Sequence, residues 1–99
     1  MAAGHNDALT FLLIARIPLD GIAAFRAFED QVVPSLADQG GRLGRRVRND
    51  DGTVEVHIVH FPSAVAYENY RSDPRRAAAG HLLDTSSAKI ELISVSDVA

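Results

Sequence analysis

The chain has 99 residues and no cysteine. The absence of cysteine excludes a disulfide framework, a thiolate metal site and a cysteine nucleophile. The longest apolar run covers residues 11–15, which is far short of a membrane span. Residues 1–8 are small or polar and carry no basic segment. We therefore predict a frayed N-terminus without a signal peptide, and a cytoplasmic protein.

An excess of positive charge is also absent, because the formal net charge is −3 and the pI is near 5.7. This balance argues against a dedicated nucleic-acid-binding protein. Hydrophobic residues make up 46% and charged residues 23% of the chain, as in ordinary globular proteins. The length predicts a single domain, which we assign to residues 9–97.

The clearest strand signal lies at residues 54–61, where β-branched and aromatic residues alternate with polar ones. A turn cluster precedes this segment, and Pro62 follows it. His57 and His60 are three residues apart, so the alternation of a strand places them on opposite faces of the sheet.

The remaining elements follow from periodicity and from start and stop signals. A helix is predicted from Ile22, with Asp20 as its cap, Pro34 as a kink or new start, and Gly40 and Gly41 as its stop. Ser63 and the pair Asp73-Pro74 are start signals within a second helical region that reaches residue 84. The other strands are predicted at residues 9–17, 42–48 and 88–95, with a hairpin turn at residues 49–52.

The resulting order, β-α-β-β-α-β, predicts an α+β fold of the ferredoxin-like type, an antiparallel sheet with the helices on one face. The other face then carries the apolar residues Leu12, Ile14, Val56 and Ile58. An exposed apolar patch of this kind requires a cover. Face-to-face pairing of two sheets in a C2 homodimer provides one.

Several motifs add a resemblance to a known family. They are Asp20 with Phe25 and Phe28, the segment Val-Pro-Ser-Leu at 33–36, Gly-Gly-Arg at 40–42 and Phe-Pro-Ser-Ala-Val-Ala at 61–66. Over residues 9–95 the chain resembles short bacterial proteins of the dimeric α+β barrel superfamily, which are related to the antibiotic-biosynthesis-type monooxygenases. The superfamily includes cofactor-free oxygenases, haem-handling enzymes and lactone isomerases, so the resemblance implies a fold and leaves the activity open.

The resemblance also implies an orientation for the central strand. Aligning Phe61 with the helix-facing phenylalanine of the superfamily places Val59 and His57 towards the helices. His60 then faces the barrel interior, together with Arg16 of the first strand. For the second strand we predict that Gly44, Arg46 and Arg48 face the barrel, unless a bulge reverses this order.

Four of these residues, Arg16, Arg46, Arg48 and His60, are predicted to converge on one wall of a cavity. Guanidinium groups bind carboxylate, enolate or phosphate groups, and His60 is the candidate general base. The alternative is that the arginines pair with Glu55, Glu91 and the turn aspartates.

Three further residues, Tyr67, Tyr70 and His81, are candidate ligand-binding residues on the helices. Their alternative is ordinary packing for the tyrosines and solvent exposure for the histidine. We predict no metal site, because His57 and His60 point in opposite directions and no helical or strand histidine pair exists. We also predict no cofactor, although the sequence leaves a haem ligand at His60 or His81 open.

These observations predict a homodimeric α+β barrel that binds a small organic ligand, aromatic or polyketide-like, between sheet and helices. Cofactor-independent monooxygenase or isomerase chemistry is the enzymatic interpretation. A non-catalytic binding or accessory protein, or a structural protein with a filled core, is the alternative. No nucleic-acid or membrane partner is predicted.

Overall fold

A computed structural model of the chain describes residues 8–98. The predicted frayed N-terminus and His5 lie outside these residues, apart from Ala8. The elements in chain order are β1 (Leu9–Arg16), a 3-10 turn (Leu19–Gly21), α1 (Ile22–Asp38), β2 (Arg42–Arg48), β3 (Val54–Phe61), α2 (Ala64–Arg71), α3 (Pro74–Ser86) and β4 (Lys89–Ser94).

The four strands form one sheet in the order β2-β3-β1-β4, and every neighbouring pair is antiparallel. The layout β-α-β-β-α-α-β confirms the predicted α+β class and the ferredoxin-like arrangement. The sequence predicted one second helical region, and the structure divides it into α2 and α3 at residues 72 and 73.

Strand alternation distributes the side chains of β3 between two different environments. Glu55, His57, Val59 and Phe61 are buried, whereas the four residues between and before them are only partly buried. Val59 and Phe61 pack with Leu36 of α1 and Ala66 of α2, which identifies their side of the sheet as the helix face. We call the opposite side the bare face. His57 and His60 therefore lie on opposite faces, as predicted.

The helix starts follow the capping signals in two of three cases. The Ser63 hydroxyl accepts a hydrogen bond from Ala66 N–H at 3.0 Å, and the Asp73 carboxylate accepts one from Arg75 N–H at 2.9 Å. The prediction that Asp20 caps α1 is wrong. Asp20 lies inside the 3-10 turn, and Gly21 occupies the cap position without a side-chain hydrogen bond.

Helix α1 continues through Pro34 and ends at Asp38. Proline removes one backbone donor from the helix, but no new start follows it. Gly40, with φ +76°, reverses the chain after the helix in a conformation that favours glycine.

A β-bulge interrupts β2 and decides where its arginines point. Leu43 pairs with Val59, the next paired residue is Arg45 opposite Ile58, and Gly44 is the extra residue. After the bulge, Arg46 lies opposite His57 and Arg48 opposite Glu55, so both arginines are on the helix face. The prediction that Arg46 and Arg48 face the barrel interior is therefore wrong. The sequence did not decide whether β2 contains a bulge, and the bulge places both arginines on the helix face instead.

Leu12, Ile14, Val56 and Ile58 occupy the bare face, in the centre of the sheet, and all four remain partly accessible to solvent. No helix within residues 8–98 has both the length and the hydropathy to cross a bilayer. The pairing of two sheets across the bare face stays a prediction.

Candidate functional site

A cavity of about 160 Å³ lies between the helix layer and the helix face of the sheet. Its wall is mostly apolar and includes five phenylalanine and tyrosine side chains of the strands and helices, together with four charged or titratable groups. The aromatic members are Phe11, Phe28, Phe61, Tyr67 and Tyr70, and the polar ones are Glu29, His57, Arg71 and Arg76. An apolar cleft with a few converging polar groups is the usual form of a small-molecule site.

The aromatic wall is one contiguous cluster. Tyr67 lies 4.7 Å from Phe11 and 5.2 Å from Phe61, measured between ring centroids, and Tyr70 lies 5.5 Å from Phe61. Offset and edge-to-face contacts at such distances are favourable and hold the rings in fixed orientations. The cluster gives the cavity flat, rigid surfaces that suit a planar ligand.

The cavity is open along β4. Ile90 and Leu92 belong to the cavity wall, yet 40% of Ile90 and 43% of Leu92 are exposed. The helix layer therefore covers the centre of the sheet and leaves this outer strand uncovered.

A buried ion-pair network lies beneath α1, next to the cavity. Glu55 is only 1% exposed, and its carboxylate accepts hydrogen bonds from Arg46 Nε at 2.6 Å, Arg48 Nε at 2.6 Å and His57 Nε2 at 2.7 Å. Burial raises the pKa of Glu55, but the hydrogen bonds from Arg48, His57 and Arg46 outweigh it and hold the pKa at about 2.

The ionised Glu55 also fixes the tautomer of His57. A carboxylate only accepts hydrogen bonds, so His57 Nε2 must carry a hydrogen and donate it. The same nitrogen lies 3.7 Å from Oε1 of Glu29. His57 is thus oriented by Glu55 and presents its N–H edge near the second carboxylate, on the helix side of the sheet where the sequence placed it.

Glu29 is the cavity's own carboxylate. It projects from the buried side of α1, its side chain is 8% exposed, and it forms part of the cavity wall. Burial raises the pKa of Glu29 above its ordinary value, and the charges of His57 and Arg46 only partly offset this. A carboxylate with a raised pKa in an apolar cleft is suited to accept a proton.

Within residues 8–98, the ligand atoms of Glu29, Glu55 and His57 all lie within 4.8 Å of one another, which is a spacing that a metal ion could use. Both oxygens of Glu55, however, already accept guanidinium N–H groups. The positive charges of Arg46 and Arg48 oppose a cation at this position. The cluster fits an internal ion-pair network better than a metal centre.

Tyr70 and Arg76 form a second polar group at the cavity. The Arg76 guanidinium lies over the Tyr70 ring, 4.6 Å from its centroid. Burial raises the pKa of the Tyr70 hydroxyl, an effect that Glu29 and Asp73 reinforce and Arg76 opposes. Tyr70 therefore remains a hydroxyl donor at neutral pH.

The structure brings together only some of the predicted site residues. Tyr67 and Tyr70 line the cavity. Arg46 and Arg48 are on the same side of the sheet but are held by Glu55, which is the ion-pairing alternative that the sequence suggested. Their ligand-binding role stays a prediction.

Arg16, His60 and His81 lie elsewhere. Arg16 and His60 occupy the bare face, where Arg16 pairs with Glu91 at 3.6 Å and His60 Nδ1 lies 3.1 Å from the Thr10 hydroxyl. The predicted convergence of these two residues with Arg46 and Arg48 on one wall is wrong, because the sheet separates the pairs. His81 is exposed on α3.

Sequence reasoning missed Glu29 of α1 as a candidate site residue. A signal was present. Phe25, Phe28, Val32 and Leu36 define the buried stripe, and Glu29 follows Phe25 by four residues and precedes Val32 by three. A charged residue in phase with an apolar stripe is a candidate for a buried functional group.

Comparison with known proteins relates this architecture to solved structures. No family model matches the sequence, and no curated protein resembles it at a significant level. A Bacteroides thetaiotaomicron protein named as a candidate antibiotic biosynthesis monooxygenase superimposes with a TM-score of 0.77 at 15% identity, covering 97% of this chain and 94% of that one. The chain has the fold of the antibiotic biosynthesis monooxygenase-like proteins.

Two further structures share this fold. A Caulobacter crescentus protein, also named as a candidate antibiotic biosynthesis monooxygenase, gives a TM-score of 0.72 at 12% identity over 94% of this chain and 93% of that one. SnoaB from Streptomyces nogalater, a cofactor-independent oxygenase, gives a TM-score of 0.66 at 18% identity over 93% and 96%. At these identities the likeness is one of fold.

Proposed function

We propose that this protein binds a small aromatic molecule in the cavity between sheet and helices and removes a proton from it, as a cofactor-independent monooxygenase-like or isomerase-like enzyme. The observation that carries the proposal is Glu29, a buried carboxylate of raised pKa in the wall of an aromatic cavity. The fold shared with SnoaB, a cofactor-independent oxygenase, supports the same class.

The chemistry follows from the groups at the cavity. The Glu29 carboxylate accepts a proton from an acidic C–H or O–H of the ligand, and the electron pair stays on the ligand as a carbanion, enolate or phenolate. An isomerase returns the proton at another carbon. A monooxygenase passes the electrons to O2, converting a CH2 group into C=O and releasing water.

The other polar groups hold the ligand and the base in place. Tyr70 offers a hydroxyl donor to a developing oxyanion, and His57, oriented by Glu55, stabilises the negative charge near Glu29. The aromatic wall excludes water from the ring and thereby strengthens these interactions.

The proposal is tested with phenol, resorcinol and hydroquinone as probes. Wild-type protein in D2O is expected to accelerate loss of ring-proton signals in the NMR spectrum, or O2 uptake in an oxygen electrode, for at least one probe. Glu29→Gln is expected to lower that rate at least about 100-fold, as for loss of a general base, and to retain binding. Turnover that survives in Glu29→Gln contradicts the proposed base.

A non-catalytic binding protein is the second candidate, and one observation favours it. The hydrogen-bond network of Glu55 uses Arg46, Arg48 and His57 for internal pairing. If the protein is a non-catalytic binding protein, a probe should bind saturably without turnover. Both candidate functions share two predictions, a homodimer that pairs across the bare face and a cytoplasmic location.

A further inference from the structure

The polar groups of the cavity are divided by depth. Glu29 and His57 are 8% and 3% exposed at their side chains, whereas Arg71 is 58% exposed and Arg76 is partly exposed. All four contribute to the same cavity wall. A ligand therefore meets a carboxylate and a histidine at its buried end and guanidinium groups at its accessible end.

The volume restricts the size of the ligand. A cavity of about 150 Å³ lined by apolar residues accommodates one benzene ring, and this cavity measures about 160 Å³. One aromatic ring with small substituents fills it. A fused three-ring system exceeds it and would have to project beyond the cavity.

The charge at the accessible end indicates an anionic substituent. Arg71 already pairs with Glu68 at 3.2 Å. Among residues 8–98, no carboxylate lies within the 4.0 Å of an ion pair from Arg76, whose guanidinium lies over the Tyr70 ring. A guanidinium binds a carboxylate through two parallel N–H groups.

The charge at the buried end fixes the orientation. Repulsion from Glu29 disfavours a ligand carboxylate at that end, and the raised pKa of Glu29 reflects how costly one buried negative charge already is. A hydroxyl, in contrast, can donate to Glu29. The carboxylate of the ligand must then point towards Arg76.

We propose that the ligand is a single-ring aromatic carboxylate, with the ring against the aromatic wall, the carboxylate on Arg76 and a hydroxyl towards Glu29. This inference rests on the proposed function in one respect, namely that the cavity binds a small aromatic molecule. It adds the number of rings, the charged group and the orientation.

Isothermal titration calorimetry at pH 7 with 4-hydroxybenzoate and the neutral 4-hydroxybenzyl alcohol tests it. We expect the acid to bind about tenfold or more tightly than the alcohol, as for a hydrogen-bonded charged group. Arg76→Gln is expected to remove that difference by weakening the acid alone, and Arg76→Lys to restore part of it. Arg45→Gln, an exposed arginine on the bare face, is the matched control and should change neither affinity.

The outcomes separate this inference from the function it rests on. Equal binding of acid and alcohol, or an unchanged affinity for the acid in a folded Arg76→Gln protein, overturns the carboxylate and leaves the cavity as a binding site. Binding of 1-anthrol, a three-ring phenol, at least tenfold more tightly than both single-ring compounds overturns the size limit. If none of the three compounds binds, the proposed function fails as well.

Discussion

Two buried glutamates of this protein have pKa values shifted in opposite directions, and they affect stability with opposite sign. The pKa of Glu29 is raised by burial, so its ionisation disfavours the folded state. That cost is absent below the ordinary glutamate pKa and complete above the raised one. The pKa of Glu55 is lowered to about 2, so its ionisation favours the folded state.

For Glu29 we predict that Glu29→Gln raises the melting temperature at pH 7 and has little effect near pH 4, where the wild-type carboxyl is already largely protonated because its pKa is raised above the ordinary value. Thermal unfolding followed by circular dichroism across this range is the measurement. Glu68→Gln, an exposed residue of α2, is the control and should not reproduce the pattern. A lower melting temperature for Glu29→Gln at pH 7 would show that its ionised form is stabilising.

For Glu55 we predict that Glu55→Gln destabilises the protein by about 1.5–3 kcal/mol at pH 7, because two partly exposed guanidinium groups lose a buried carboxylate partner. Glu91→Gln, which breaks the exposed pair with Arg16, should cost less than about 1 kcal/mol. Urea unfolding measures both.

The pH dependence of the same variant provides an internal check. The stabilisation by Glu55 is complete above about pH 4.5 and is lost as the pH falls towards 2. The difference between wild type and Glu55→Gln should therefore shrink over this interval. A difference that stays constant would mean that the loss comes from packing alone.

The sequence-based hypothesis that His60 is the general base competes with the proposal for Glu29, and the structure makes the two separable. His60 lies on the bare face and bonds to Thr10, so it is on the other side of the sheet from the cavity. We expect His60→Ala to leave turnover of a phenolic probe within about threefold of wild type, in contrast to the loss of about 100-fold expected for a general base. A loss in His60→Ala equal to that in Glu29→Gln would move the chemistry to the bare face.

At the scale of elements, the 3-10 turn is fixed by its close approach to the end of α3. A Cβ at Gly21 would lie 2.0 Å from the Ser86 carbonyl oxygen, whereas a Cβ at Gly80, in the middle of α3, would contact nothing within 4 Å. We predict that Gly21→Ala destabilises by about 1–3 kcal/mol through overpacking. Gly80→Ala should stabilise by about 0.5–1 kcal/mol through helix propensity.

Thermal and urea unfolding of these two variants form a matched pair, since the substitution is chemically the same. If both variants were equally stable, the contact between the 3-10 turn and α3 would be looser than the structure describes.

The elements themselves could be predicted because their signals are local. Alternation identified β3, and the Ser63 and Asp73 caps identified the starts of α2 and α3. The failures are positions where a tertiary feature overrides a local one. Asp20 is a good cap residue by type, but the 3-10 turn places Gly21 at the cap. Arg46 and Arg48 depend on the bulge at Gly44, and composition does not determine a bulge.

The candidate site was less predictable than the fold. Tyr67 and Tyr70 were found because aromatic residues on a helix are visible in the sequence, whereas Glu29 and His57 matter through burial and mutual distance. Those quantities arise only when α1 packs over β3. Glu29 can be identified from the sequence, because its spacing places it within the apolar stripe of α1. No comparable local signal exists for Arg76.

At the scale of the whole molecule, one helix layer covers one face of the sheet and leaves the apolar residues of the bare face partly accessible to solvent. We predict that the protein is a dimer with twice the 10.7 kDa chain mass, and that Ile14→Glu makes it monomeric, because a charge would be buried between the two sheets. Size-exclusion chromatography with light scattering gives the mass. Val65→Glu, which changes an exposed apolar residue of α2, should leave the dimer intact.

A monomeric wild-type protein at micromolar concentration would contradict the pairing. It would also mean that Leu12, Ile14, Val56 and Ile58 tolerate water or contact a different partner.

The bulge at Gly44 makes the ladder pairing of β2 as informative as its residue types. If Gly44 took a regular place in the ladder opposite Ile58, Arg46 and Arg48 would lie on the bare face, and Glu55 would remain as an unneutralised carboxylate under α1. Loss of Gly44 together with its bulge, in contrast, would leave Arg46 opposite His57 and Arg48 opposite Glu55. Relatives that are one residue shorter here can therefore keep the same ion pairs, whereas relatives of equal length without a bulge cannot.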